Sequence, residues 1–437
     1  MAFAVTDTLV AGQQSPQALA VLSVAAAIFM SVFVSVMGVL QALLPIWSSL
    51  HGAGRGEDLG RSVRQSLYLV LCLLVMGWAT LLQPETILEW SQVPQDLHAE
   101  AKNYLAVLAW ALPTGMLFRL FSTLNQSLGK PRLVTAVQLV ALAAKVPTTV
   151  LLTQGWGTWP GLGVEGCAWA TALVYLGMSV FAGGILWRAT LYQPLALWRW
   201  PERPDVKHLL SMARLGLPSG LVVMIEVTSF TLMALLIARQ GHLSLAAHQI
   251  VGNLAALLYM VPLSLAIATS TRVSYGLGAQ TPAQARQALL AGCQLTALTA
   301  LVLSAVVWLG RQPIAALYSN DAKVQASVLP LLTWLALYHL ADATQVLCSF
   351  VLRCFRVSWL PMLGYGVLLW GVGLGGGHLL AQGDLFPGLW TGSPLAYWAS
   401  STLALALTAI LLVASLGFHV SRHLTAQTVG WKNNAET

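Results

Sequence analysis

Three acids stand where acids rarely survive. Asp7, Glu226 and Asp342 each fall inside an apolar stretch, whereas the other acids sit in the polar joints between stretches. An Asp at the centre of a membrane helix costs about 2.5 to 3.5 kcal/mol on the insertion scale, so such residues mark ion paths and proton relays. Glu226 and Asp342 lie near the middle of their runs, and Tyr338, His339 and Gln345 fall within one turn of Asp342 on the same helical face. Carboxylate, phenol, imidazole and amide together can hold a proton or a small cation, and a sodium ion at Glu226 and Asp342 is one form this takes. The alternative is that each acid is protonated, or hydrogen-bonded to a neighbouring helix, for packing alone.

Lys145 is the cation out of place. Counted along their runs, Lys145 and Asp7 differ in depth by only about 6 Å at 1.5 Å per residue, a gap a lysine side chain closes. Pairing relieves both desolvation penalties; the alternative is that Lys145 snorkels to the interface. Arg119 lies nearer the inner surface, where snorkelling is the preferred reading.

Other chemistry finds no support. No HExxH motif or G-x-S-x-G elbow is present, and Gly52-Ala-Gly-Arg-Gly56 lacks the Lys-Ser/Thr of a phosphate loop, so an enzyme is not expected. The run Gly371 to Gly377 reads as close helix packing. Cys72, Cys167, Cys293, Cys348 and Cys354 form no CxxC pair and read as buried thiols. No cofactor is implied.

The elements that carry these residues are set by composition. Hydrophobic residues make up 57% of the 437 and charged ones only 8%, far below the roughly 25% charged residues of a soluble domain. Runs near 18–46, 63–82, 104–127, 133–153, 167–189, 209–238, 243–270, 287–309, 326–352, 359–381 and 396–419 are each long enough to span a bilayer. Ahead of them residues 1–11 form an apolar stub, about 16 Å long as a helix, which reads as the outer half of a further helix. With an acid and no basic n-region, the stub does not read as a signal peptide.

Ending the stub outside places 16 Lys and Arg in inner joints and four, Lys102, Arg239, Arg311 and Lys323, in outer ones. That is the bias of cytoplasmic loops, with loops after even-numbered helices inside. It also explains the net charge of +7, since the basic residues are dispersed over loops and form no nucleic-acid surface. Trp47, Trp90, Trp156, Trp159, Trp198, Trp200, Trp308 and Trp390 stand at span ends, as interfacial rings do.

The chain repeats. A shift of 224 aligns Leu105, Leu108, Trp110, Leu128 and Arg132 with Leu329, Leu332, Trp334, Leu352 and Arg356. The shift spans an even number of helices, so the halves are parallel repeats about an axis along the membrane normal. The expected fold is all-α integral membrane, with twelve helices, the first truncated, in two pseudo-symmetric six-helix bundles around a central cavity. The expected domains are an N-terminal lobe 1–189, a cytoplasmic linker 190–208, a C-terminal lobe 209–419 and a cytoplasmic polar tail 420–437. Aligning Ala11 with Ala238 leaves about 19 residues wanting from the first helix, close to what a full span needs, so translation is expected to begin upstream of Met1.

Several segments resemble the multidrug and toxic compound extrusion (MATE) family, in its NorM-like bacterial branch. They are Val5-Thr-Asp7-Thr-Leu-Val-Ala-Gly12, Leu128-Gly-Lys-Pro131, Leu217-Pro218 followed by Glu226-Val-Thr228, Ala246-Ala-His-Gln249 and Asp342-Ala-Thr-Gln-Val346. The resemblance covers nearly the whole chain. It implies a secondary antiporter of a bacterial inner membrane, functional as a monomer, exporting cationic amphipathic small molecules against H+ or Na+ by alternating access. It makes Asp7 the functional acid of the first lobe, and Glu226, Tyr338 and Asp342 the cation site of the second, with His339, Gln345, His248, Gln249 and Asn253 lining or supporting it. At Lys145 and Thr149 the family commonly carries asparagines, so the first lobe departs from its pattern. A flippase for a lipid-linked substrate is the alternative; it would favour a strongly basic cavity, and only Lys145 and Arg119 lie within spans.

Overall fold

The structure, a computed structural model, describes residues 2–90, 94–199, 202–383, 388 and 390–422, and the side chains of Ala2, Ala4, Pro16, Trp90 and Asp96 are outside what it describes. The expected polar tail beyond 422, together with Trp200, Asp384, Lys432 and Glu436, lies outside the described residues. The described chain is helical, apart from turns and one isolated bridge between Trp156 and Trp159.

Helices α1 (Ala2–Gln14), α2 (Pro16–Gln41), α3 (Leu44–Gly52), α4 (Gly56–Leu82) and α5 (Glu85–Trp90) open the chain. Next come α6 (Gln95–Ser127), α7 (Pro131–Gln154), α8 (Glu165–Arg188) and a 3-10 turn at Thr190–Leu195. Then follow α9 (Val206–Ala238), α10 (His242–Gly278), α11 (Pro282–Leu309), α12 (Arg311–Tyr318) and α13 (Ala322–Cys354). Helix α14 (Trp359–Tyr365) continues as a π-helix over Gly366–Gly376 into α15 (Gly377–Gln382), and α16 (Leu395–Val420) closes the set. Eleven of these segments are long and apolar enough to cross a membrane, in the register the sequence predicts. Their outer faces agree: α11 has a mean hydropathy of 2.0 over its most apolar window, yet only 28% of that window is buried. Leu298, Leu301, Val302 and Val306 stand exposed along it. An apolar face of that extent needs lipid or protein against it.

Two compact units emerge. One comprises Met1–Trp47 and Arg55–Gly216, the other Ser48–Gly54 and Leu217–Thr437, and the division falls inside α9 just before Pro218. In the first, α6 is the buried axis, packed by α2, α4 and α8. In the second, α13 plays that part among α10, α11 and α16. These are the two helices that the 224-residue shift aligns, so each repeat is built around the same member.

Local signals set the ends. Ser15 caps α2 by accepting the Ala18 N–H, with Pro16 at the first helical position, where its missing N–H costs nothing. Asp321 caps α13 through the Lys323 N–H. The glycine run does allow close packing: a Cβ on Gly377 would stand 2.9 Å from the Tyr397 ring, and one on Gly376 2.9 Å from Ser400 Oγ, both on α16.

The connection at 190–205 is clamped to α4. Arg64 donates to Ala196 O (2.7 Å) and pairs with Glu202, Arg61 pairs with Glu202 (3.1 Å) and Asp205 (3.4 Å), and Tyr68 donates to Glu202 O (2.7 Å). The Arg64 hydrogen bond is the main cause that lowers the Glu202 carboxyl below its ordinary range, and the His208 backbone N–H does the same for Asp205.

Three expectations need correction. Trp47 is not an interfacial ring: it is fully buried and donates to Ser62 Oγ at 3.0 Å, because α2 runs on through α3 and keeps it inside the helix packing. Cys72 is exposed, on the same outward face of α4 as Val75 and Met76, while Cys167 and Cys348 are buried. Arg353, counted in a loop, is 3% exposed in the last turn of α13 and stacks on the Phe350 ring at 4.2 Å.

Candidate ion-coupling sites

In the second unit α9 and α13 supply the acids. Glu226 is part-buried and Asp342 is 4% exposed, and the two carboxyl groups are close enough to feel each other's charge. The Tyr259 hydroxyl of α10 reaches Glu226, and Gln345 Nε2 donates to Asp342 Oδ1 at 3.0 Å. The spacing predicted this last pair, three residues apart on one face.

Aromatic rings wall the site. Trp398 of α16 is fully buried, with ring centroids 5.6 Å from Tyr338, 5.9 Å from His248 and 6.3 Å from Phe230. It thereby ties α9, α10, α13 and α16 together. Beside it lies a cavity of about 20 Å³, lined by Ser229, Phe230, Met233, Tyr338, Leu369, Ser401 and Leu405. That volume takes one water. In the same unit, Ser229 Oγ, His248 Nδ1, His339 Nε2, Gln345 Oε1 and Trp398 Nε1 are buried without a hydrogen-bond partner among the described residues. Such groups are costly inside a protein unless a water or an ion completes them.

Not every candidate joins this cluster. Tyr338, His339, Gln345 and His248 are buried within the unit, but Gln249 and Asn253 are exposed, and no hydrogen bond ties either to the acids among the described residues. The α10 period explains it: one and five residues beyond His248, they turn to another face. Tyr259, Trp398 and Phe230 went unnoticed in the sequence. Ser229, Phe230 and Met233 stand three, four and seven residues after Glu226, and that spacing was the signal available.

In the first unit Asp7 of α1 is 7% exposed and Lys145 of α7 is 0% exposed. Lys145 Nζ lies 2.7 Å from Asp7 Oδ1 and donates to Thr171 Oγ1 (2.7 Å) and Cys167 O (3.1 Å), both on α8. The ammonium thus has three partners for its three N–H bonds. The hydroxyls of Thr149, one turn along α7, and of Thr171 also approach the Asp7 carboxyl. Helix α1 is held beside α7 partly by Gln14, which donates to Thr153 O at 3.0 Å. Arg119 is half-buried beside Tyr175, and its Nε is inaccessible and unpaired among the described residues.

A profile of the MatE family matches residues 1–151 and 218–374. The chain belongs to the MatE family. Asp7, Lys145, Glu226 and Asp342 all fall within the matched segments of this MatE chain. It is similar to a probable multidrug resistance protein NorM of Aromatoleum aromaticum, 34% identical over 413 residues, covering 92% of this chain and 89% of that protein. It is also similar to the multidrug resistance protein MdtK of Pectobacterium atrosepticum, 31% identical over 424 residues and covering 95% and 90%. Among solved structures, the eukaryotic MATE transporter AtDTX14 superposes with a TM-score of 0.84 at 20% identity, over 97% of this chain and 94% of that one. The bent form of the Vibrio cholerae MATE transporter VcmN gives 0.80 at 16% identity, over 98% and 94%. At such identities the likeness establishes a shared fold. Among the described residues no group of three or more His, Cys, Asp or Glu is placed to hold a metal ion as a cluster.

Proposed function

We propose that this protein is a secondary active antiporter of a bacterial inner membrane. It exports organic cations, drugs or toxic metabolites in exchange for H+ or Na+ by alternating access, as a monomer with its Lys- and Arg-rich joints cytoplasmic. The NorM and MdtK relatives, named for multidrug resistance, support the substrate class. The observation that carries the coupling is the pair Glu226 and Asp342: two carboxyl groups from different helices, inside apolar spans and in mutual range, with no ion pair to either among the described residues. An ion that binds there in one state and leaves in another biases which state is populated.

Flipping of a lipid-linked substrate is less well supported. It calls for free cations along the path, and Lys145 is already committed to Asp7. The test is export of a panel of cationic dyes from proteoliposomes under separately imposed proton and sodium gradients. Export should follow one of the two gradients, and indifference to both would overturn the reading.

A further inference from the structure

The two acid sites differ in what neutralises them. Around Asp7 the oxygens of Thr149, Thr171 and Cys167 converge with the carboxylate, a donor set suited to a small monovalent cation. The centre of that set is filled by Lys145 Nζ, with contacts of 2.7, 2.7 and 3.1 Å. The other titratable side chains in range of Asp7 are Tyr104, Cys167 and Tyr175, none of them a cation or a second carboxylate. Around Glu226 and Asp342 no cation stands within ion-pair distance among the described residues. The nearest basic group, Arg353 at the end of α13, is felt by Glu226 through its charge but makes no ion pair with either acid among the described residues.

We propose that Lys145 is a built-in cation: its ammonium holds the place at Asp7 that an exchangeable ion would take, so the first unit carries no coupling ion and the ion cycle belongs to Glu226 and Asp342. This rests on the antiport reading above. A coupling ion must bind and leave, whereas a tethered ammonium keeps a high effective concentration at its site and outcompetes ions from solution. It is fully buried and is held by two hydrogen bonds and the ion pair to Asp7. The Asp7 site then acts as a fixed strut joining α1, α7 and α8.

Two readouts on the purified, reconstituted full chain test this. Dicyclohexylcarbodiimide reacts with carboxyl groups in apolar sites when they are protonated, and peptide mass spectrometry locates the adduct. Wild type should label at Glu226 or Asp342 and not at Asp7, and Lys145→Met should open Asp7 to labelling. Equal labelling of Asp7 in wild type and Lys145→Met would overturn the proposal. In the second readout, the double variant Asp7→Asn/Lys145→Met should still export under a gradient, driven by the same ion as wild type. Loss of that export, in a double variant that purifies and unfolds like wild type, would also overturn it. Were wild type itself indifferent to ion gradients, the antiport reading would fail, and the labelling readout would still decide the role of Lys145.

Discussion

The Asp7 site and the Glu226–Asp342 site belong to corresponding halves of a duplicated chain, and they answer one problem in opposite ways. In the first unit a carboxylate at membrane depth is matched by a lysine 2.7 Å away, and the ammonium is saturated by Thr171 and Cys167. In the second, two carboxyl groups share a site with Tyr259 and Gln345 and have no ion-pair partner among the described residues. A closed ion pair is suited to holding helices together. An incomplete acid pair is suited to exchanging an ion. The first site holds one carboxylate with a lysine and the second two carboxyl groups without one.

The comparison breaks most visibly if the pair is opened. Asp7→Asn leaves an uncompensated ammonium in a buried site and should lower stability by about 3 to 5 kcal/mol. Adding Lys145→Met should recover much of that loss. Thermal unfolding in detergent of the two single variants and the double closes the cycle, and additive effects would mean that the two side chains do not interact.

The smallest effect is expected where an ion pair is partly open to solvent. Glu202 meets Arg64 and Arg61 at the end of α4, and its carboxyl is held below the ordinary glutamate range. A lowered folded-state value means that the contribution is present above the unfolded value and is lost as pH falls through the folded one. Glu202→Gln should therefore change stability little at neutral pH and slightly flatten the acid limb of an unfolding profile. A loss comparable to that of Asp7→Asn would erase the contrast between a fully buried pair and one partly open to solvent.

Much of the fold was legible because apolar runs of bilayer length are a strong signal, and all eleven predicted spans recur as helices. The three intramembrane acids were legible for a related reason: composition makes a charge there conspicuous. The Asp7–Lys145 contact followed from counting depth along two runs. What the sequence hid is tertiary. Tyr259 reaches Glu226 from α10 and Trp398 reaches Tyr338 from α16 by helix packing, and no local spacing announces it. Trp47 and Arg353 misled because a position near a span end resembles an interface, while α3 and the last turn of α13 fold them inward. Gln249 and Asn253 lie on a different face of α10 from His248, a rotation that the residue types alone do not reveal.

The central claim is that Glu226 and Asp342 carry the coupling ion. It is tested most directly by Glu226→Gln and Asp342→Asn, reconstituted beside wild type and driven by whichever gradient wild type follows. Each amide keeps the size of its acid but cannot undergo the charge change an ion cycle needs. Both variants should insert and fold as wild type does and lose gradient-driven export. Wild-type export in both would contradict the account.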